Sequence, residues 1–191
     1  MTAPSLGAPV PAPVRDFDDL PGEFATTRRF LARFPAEHAH WRPHARSTSL
    51  AGLATHLAWL PAFAELVLSA SEVDAADVPA VPEAATTPDA LLALHDAQVA
   101  AALRAIATSD VALLDEPWTL RHGEHVLRTG RRGRVLRELL VSHAAHHRGQ
   151  LTVYYRLLGV PVPGAYGPTA DEPWHADANQ RVGSDYALRT G

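Results

Sequence analysis

The sequence predicts an all-α protein, a bundle of four amphipathic helices with a short β-hairpin between the third and the fourth. Three observations predict it. Four stretches carry apolar residues at the i, i+3, i+4 spacing of a helix with one buried side. Proline and glycine punctuate the segments between them. One short segment, Pro117 to Arg128, reads instead as paired strands. The long connections leave the up-down order of the helices open.

The first helix is expected from about Pro21 to Phe34, with Leu20, Phe24, Phe30, Leu31 and Phe34 on its buried side. Pro35 ends it, because the residue before a proline is pushed out of the helical region. Trp41-Arg42-Pro43-His44 follows as an extended stretch. Ser47, Thr48 and Ser49 are each competent N-caps for the second helix. That helix is expected to run to about Ser71, with Leu53, His56, Leu57, Leu60 and Ala64 inward and a kink at Pro61. Val73 to Ala85 reads as a polar connection.

Thr87 caps the third helix, Pro88 opens it and Asp89 stands in its first turn. Its expected stripe is Leu92, His95, Val99, Leu103 and Ile106, and it ends near Thr108. In the hairpin, Pro117–Leu120 and Val126–Arg128 flank a turn at Gly123. The fourth helix is expected from about Gly133 to Leu158, stopped by Gly159 and Pro161. Leu136, Leu140, His143, His147, Leu151, Tyr154 and Leu158 form one stripe along it. The remainder, from Val160, is rich in turn residues.

Composition narrows the function classes. A chain of 191 residues is long enough for one domain with a real core. We divide it into an Ala/Pro-rich tail at 1–15, a bundle at 16–172 and a C-terminal tail at 173–191. A net charge of −4 and sparse aromatics give no reason to expect nucleic-acid binding. No apolar run approaches the ~20 residues that span a bilayer, so no membrane is expected. Met1 to Val14 lacks a basic start and is broken by Pro9, Pro11 and Pro13, unlike a signal peptide. The absence of cysteine excludes disulfides, thiolate ligands and a cysteine nucleophile, and fits a cytoplasmic location.

The unusual number is 11 histidines. His143 and His147 are four apart on the inward stripe of the fourth helix, so their imidazoles stand on one face and can share a metal ion. Burying imidazole costs free energy unless its nitrogens find partners. His56, between Leu53 and Leu57, and His95, on the third helix, both qualify as a third ligand, and spacing does not choose between them. Asp96 beside His95 offers that ring an ordinary partner instead. His146 points about 100° from His147 and reads as supporting the site or facing an interface, and Gln150, one turn on, can steady a ligand or substrate.

His40 and His44 repeat the spacing, but Pro43 denies them a helix. His122 and His125 fall in a turn. Three imidazoles with an open fourth position suit zinc, with nickel or iron also compatible. Ser142, Ala145, Gly149 and Thr152 make a small-residue face that permits close approach of another helix.

Three stretches carry a family resemblance. They are Trp41–His44 with Ser49-Leu50 and Leu53–Leu57, then Pro117–Leu120, and then Ser142–Tyr154 with Gly159–Pro163 and Tyr166–Glu172. Through them the chain resembles the DinB-like family of four-helix-bundle proteins, which includes the YfiT-like proteins, over about Phe24 to Glu172. The resemblance implies an up-down-down-up bundle, often a homodimer. It implies a divalent metal on one histidine of the second helix and a His-x-x-x-His pair of the fourth. That maps to His56, His143 and His147, and resolves the choice against His95.

Characterised relatives include transferases and isomerases that use the low-molecular-weight thiols mycothiol or bacillithiol. The function expected is therefore a metal-dependent enzyme acting on a small molecule, an S-transferase using such a thiol. Two alternatives stand beside it. One is a hydrolase that activates water, for which Asp171 and Glu172 are loop candidates as the base. The other is a non-catalytic, stress-associated protein with a structural metal, which would call on His95 as a fourth ligand.

Overall fold

The structure, a computed structural model, describes residues 17–173. The tail expected over 1–15 lies outside them, as does all but the first residue of the tail expected over 173–191. The described chain is mostly helical, with a small three-stranded sheet. Four helical arms carry it: α1 (Leu20–Leu31), α2 with α3 (Leu50–Trp59 and Phe63–Ser69), α4 (Pro88–Thr108), and α5 with α6 (Arg132–Arg137 and His143–Leu157). The sheet comprises β1 (Glu72–Asp74), β2 (Pro117–His122) and β3 (His125–Arg131).

The ends of these helices follow local chemistry. Ser49 caps α2, its hydroxyl accepting from the Gly52 N–H at 3.1 Å. Thr87 caps α4, accepting from the Ala90 N–H at 3.3 Å ahead of Pro88. At the end of α6, Gly159 takes φ +71°. The Gly159 N–H then reaches the Arg156 carbonyl, and the Val160 N–H reaches that of Tyr155 at 2.9 Å. This pair is the Schellman closure that a left-handed residue permits.

Two arms are interrupted where the sequence suggested continuity. Pro61 brings no N–H, and the second arm breaks there into a 3₁₀ turn, Leu60–Ala62, between α2 and α3. The fourth arm opens into a π turn at Glu138–Ser142, directly before His143. A π turn takes one extra residue and so advances the following helix by about 100°. The two irregular turns pack against each other.

The sheet differs from the lone hairpin expected. β2 and β3 pair antiparallel around the Gly123-Glu124 turn, with Gly123 at φ +55°. β1, which lies in the segment read as a polar connection, adds parallel to β2 as a third strand. Asp74 explains the addition, since its carboxylate accepts the Gly123 N–H at 2.9 Å and so ties β1 to the turn. Buried Arg132 joins the sheet to the bundle, donating to the Val67 carbonyl at 3.1 Å near the end of α3.

The core forms two apolar clusters. One joins Phe30 and Leu31 of α1, Leu53 and Leu57 of α2, Leu91 of α4 and Leu151 and Tyr155 of α6. The other joins Phe24, Val67, Trp118, Val135, Leu136 and Leu140. Phe63 touches both clusters at the seam between them. The inward face of α4 is rotated from the expected stripe: Leu91, His95 and Ala102 are buried, whereas Leu103 is exposed.

Two stretches, Leu50–Ser69 and Pro88–Thr108, are long and apolar enough by length and composition to cross a membrane, contrary to the expectation that no run approached that length. The first is 67% buried within the protein, as a core helix is. The second is 17% buried, and its outward side carries Ala93, Ala97, Ala100 and Ala107 together with Asp96 and Arg104.

Candidate metal centre

His56 stands one turn before the break at Pro61, and His143 and His147 stand on the first turns after the π turn. The two irregular turns therefore flank the place where the three imidazoles meet. Their candidate ligand atoms all lie within 4.8 Å of one another, and all three residues are partly buried. The ring of His56 lies 5.2 Å from that of His143 and 4.6 Å from that of His147, centre to centre. No third arm contributes a histidine, aspartate or glutamate to this group among the described residues.

The nitrogen positions fit a metal ion. Nε2 of His56 and Nε2 of His143 are 3.4 Å apart. An ion holding imidazoles tetrahedrally at 2.0–2.1 Å sets their nitrogens about 3.3–3.4 Å from each other. His147 donates from Nδ1 to the side-chain Oε1 of Gln150 at 2.7 Å, which fixes the proton on Nδ1. Its Nε2 is then a bare lone pair, buried and without a hydrogen-bond partner. A lone pair in that position is satisfied by a cation.

Electrostatics keep the rings neutral, as ligands must be. Burial lowers the pKa of His56, and His147 nearby lowers it further. Burial and then His147 and His56 push His143 down to about 4. Burial also lowers His147, partly opposed by the Gln150 hydrogen bond.

Gln150 thus acts through the ring it orients. Gln150→Ala is expected to weaken zinc binding about 10–100-fold, the usual range for losing the partner of a metal-bound histidine. Gln150→Glu should restore it, because a carboxylate accepts the same proton. Competition against a chromogenic chelator reads both, and equal affinities in all three proteins would refute the role.

The other candidates fall elsewhere. His95 is fully buried, its Nε2 donating to the Phe24 carbonyl at 3.1 Å, and it stands apart from the triad. It is a core histidine between α4 and α1, which removes the fourth ligand that a closed metal site would need. His146 is exposed, its ring 4.9 Å from that of His147. His40, His44, His122 and His125 are exposed and outside the group. Asp171 and Glu172 are bound up as well. Asp171 pairs with Arg156 at 2.6 Å, and Glu172 pairs with Arg33 at 2.9 Å and with Arg29. Neither is free to act as a base. Gly149 is exposed, and a Cβ there would meet nothing within 4 Å.

Arg148 was not among the expected site residues. Its side chain is 2% exposed. It pairs with Glu23 and the Tyr166 hydroxyl, and donates to Thr27 Oγ1 at 2.8 Å and to the Glu23 carbonyl at 3.0 Å. The signal was present in the spacing. Ala144, Arg148, Leu151 and Tyr155 form a second buried stripe of α6 beside the histidine stripe.

Comparison with known proteins fits this geometry. The DinB family model matches residues 20–180. The chain belongs to the DinB family. Two solved structures share the fold. A DinB-like protein of Bacillus subtilis, YjoA, superposes with a TM-score of 0.59 at 18% identity, covering 84% of this chain and 99% of that one. A candidate DinB-family member from Exiguobacterium sibiricum 255-15 gives 0.55 at 24% identity, covering 80% and 95%. Among curated proteins, the uncharacterized YrdA of Bacillus subtilis (strain 168) is 54% identical over 33 residues. That match spans 17% of this DinB-family chain and a fifth of the relative's length.

Proposed function

We propose that this DinB-family chain is a metal-dependent enzyme whose divalent ion is held by His56, His143 and His147, and that it transfers a low-molecular-weight thiol to an electrophilic small molecule. The observation that carries the reading is the buried, unpartnered Nε2 of His147 facing two further imidazoles. Zinc and nickel suit an all-imidazole set best, with iron next. A divalent ion there supplies Lewis-acid chemistry, lowering the pKa of a thiol or a water that meets it. The chain has no cysteine, so the thiol must arrive as a cosubstrate. The transferase reading is favoured over hydrolysis because Asp171 and Glu172, the loop carboxylates considered as a base, are locked in ion pairs. A cytoplasmic homodimer is the setting we propose for it.

The test is turnover of monochlorobimane by zinc- or nickel-loaded protein with a panel of thiols. The expected result is activity that needs both a thiol and the metal and that disappears with chelator. No turnover with any thiol would remove the transferase reading. Turnover without a thiol would replace it by hydrolysis.

Proton competition gives a second expected outcome. Unfolded histidines protonate near 6.5, whereas His56, His143 and His147 are all shifted lower in the fold. Between the folded and unfolded values the unfolded chain binds more protons, so the metal-free protein loses stability as pH falls through that window. For the same reason metal should be retained below pH 6.5 and released as pH approaches the value of about 4 for His143. Thermal unfolding of metal-free protein and zinc release, each followed across that range, check it. Stability rising on acidification would contradict the assignment.

A further inference from the structure

A cleft of about 530 Å³ opens beside the imidazole cluster, with His56 and His147 in its lining. That volume suits a small molecule. Its apolar walls are Leu53 of α2, Tyr154 of α6 and Val81 of the segment between β1 and α4. Arg46 lines it, and no aspartate or glutamate does. In a chain of net charge −4, a cleft lined by one cation and no anion is a local reversal of sign.

Arg46 is held out for use. The turn that presents it is fixed by His44: the Arg46 N–H donates to Nδ1 of the His44 side chain at 3.1 Å, and the Ser47 N–H donates to the His44 carbonyl at 2.9 Å. The Arg46 guanidinium itself meets no carboxylate and no acceptor among the described residues. Arg28, Arg121 and Arg156 are committed to Asp96, Glu72 and Asp171. Among the described residues Arg42 and Arg104 are, like Arg46, exposed without an ion pair, but neither lines the cleft. An unpaired arginine in the lining of a cleft offers a planar two-point donor that matches a carboxylate.

We propose that this cleft binds a small molecule carrying a carboxylate, with Arg46 holding that group while the rest of the molecule lies along Leu53, Val81 and Tyr154 toward the imidazoles. A carboxylate fits better than a phosphate. A phosphate usually draws on several backbone N–H groups as well as side-chain charge. At the start of α2 those groups are committed: the Leu50 N–H to Trp41, the Ala51 N–H to Ala39 and the Gly52 N–H to Ser49. One guanidinium remains, matched to one negative charge. The inference rests on the imidazole cluster being the reacting end, as proposed above, and it names the substrate class of that same site.

The test uses the full chain loaded with zinc and a length-matched pair of thiols, mercaptohexanoate and mercaptohexanol, titrated by calorimetry. The acid is expected to bind about tenfold more tightly than the alcohol, the scale of one charge-assisted pair. Arg46→Met keeps the apolar stem and should abolish that difference while leaving zinc content unchanged. Arg46→Lys should keep part of it. Equal affinity of acid and alcohol in the parent protein overturns the inference, as does a preference that survives Arg46→Met. Inorganic phosphate displacing the acid at lower concentration than acetate does would overturn the choice of carboxylate. Zinc content is read separately, so failure of the metal reading is seen as missing zinc, whereas the acid–alcohol comparison is scored in both metal states.

Discussion

His143→Ala is expected to lower zinc affinity on the order of 10³-fold, to the point that the purified protein carries no stoichiometric metal. The reason lies in how few ligands there are. Three imidazoles from two arms make up the whole group. With His95 turned to the Phe24 carbonyl, no other buried histidine among the described residues stands ready to replace a lost one. His143 is also the ligand whose Nε2 lies 3.4 Å from that of His56, so removing it leaves His147 as the one ligand of the fourth arm facing His56. His146→Ala is the control. That ring touches His147 from the exposed side, and its loss should leave metal content unchanged. Elemental analysis with circular dichroism to confirm folding decides the matter. Full metal occupancy in folded His143→Ala would mean that the ion sits elsewhere.

The pairing of His143 with His147 was legible from sequence because both interrupt an apolar stripe, and the helix period does the rest. The third ligand was not. His56 and His95 occupy equivalent inward positions on their helices, and only the family resemblance preferred His56. The structure brings His56 to the pair and turns His95 toward α1, a difference set by how the arms are rotated about their axes. The fourth arm adds a rotation of its own at the π turn Glu138–Ser142, and periodicity counts residues as if every turn were α.

Capping and stop signals were readable wherever they are local, at Ser49, Thr87, Pro61 and Gly159. β1 was not readable, because three residues, Glu72–Asp74, have no period of their own and become a strand only by pairing with β2. The Asp171 and Glu172 carboxylates looked available in sequence, but their arginine partners lie more than a helix turn away along the chain. Arg156 is 15 residues from Asp171, and Arg33 is 139 residues from Glu172.

Glu23→Ala is expected to destabilise the fold by about 3–5 kcal/mol, the cost of leaving a buried charge without its counter-ion. Arg148 is that charge. Its side chain is 2% exposed, that of Glu23 14%, and both also bond the Tyr166 hydroxyl. For a chain of this size the loss corresponds to a midpoint lower by roughly 6–20 °C. Arg148→Met alone should cost less, because it removes the buried charge and leaves a carboxylate nearer the surface. In the double variant, Glu23→Ala with Arg148→Met, much of the lost stability should return, since a buried ion pair is often replaced by packed apolar groups at little cost.

Stability is only half of what this pair does. Arg148 follows His147 directly, about 100° around α6, so its grip on α1 sets the rotation that turns His147 toward His56. A stable double variant should therefore still bind zinc more weakly than the parent, by about tenfold. Midpoints from thermal unfolding and zinc affinities from chelator competition separate the two effects. Parent-like zinc binding in the double variant would make the pair a staple of the fold alone, whereas weaker binding at restored stability ties the α1–α6 clasp to the metal centre.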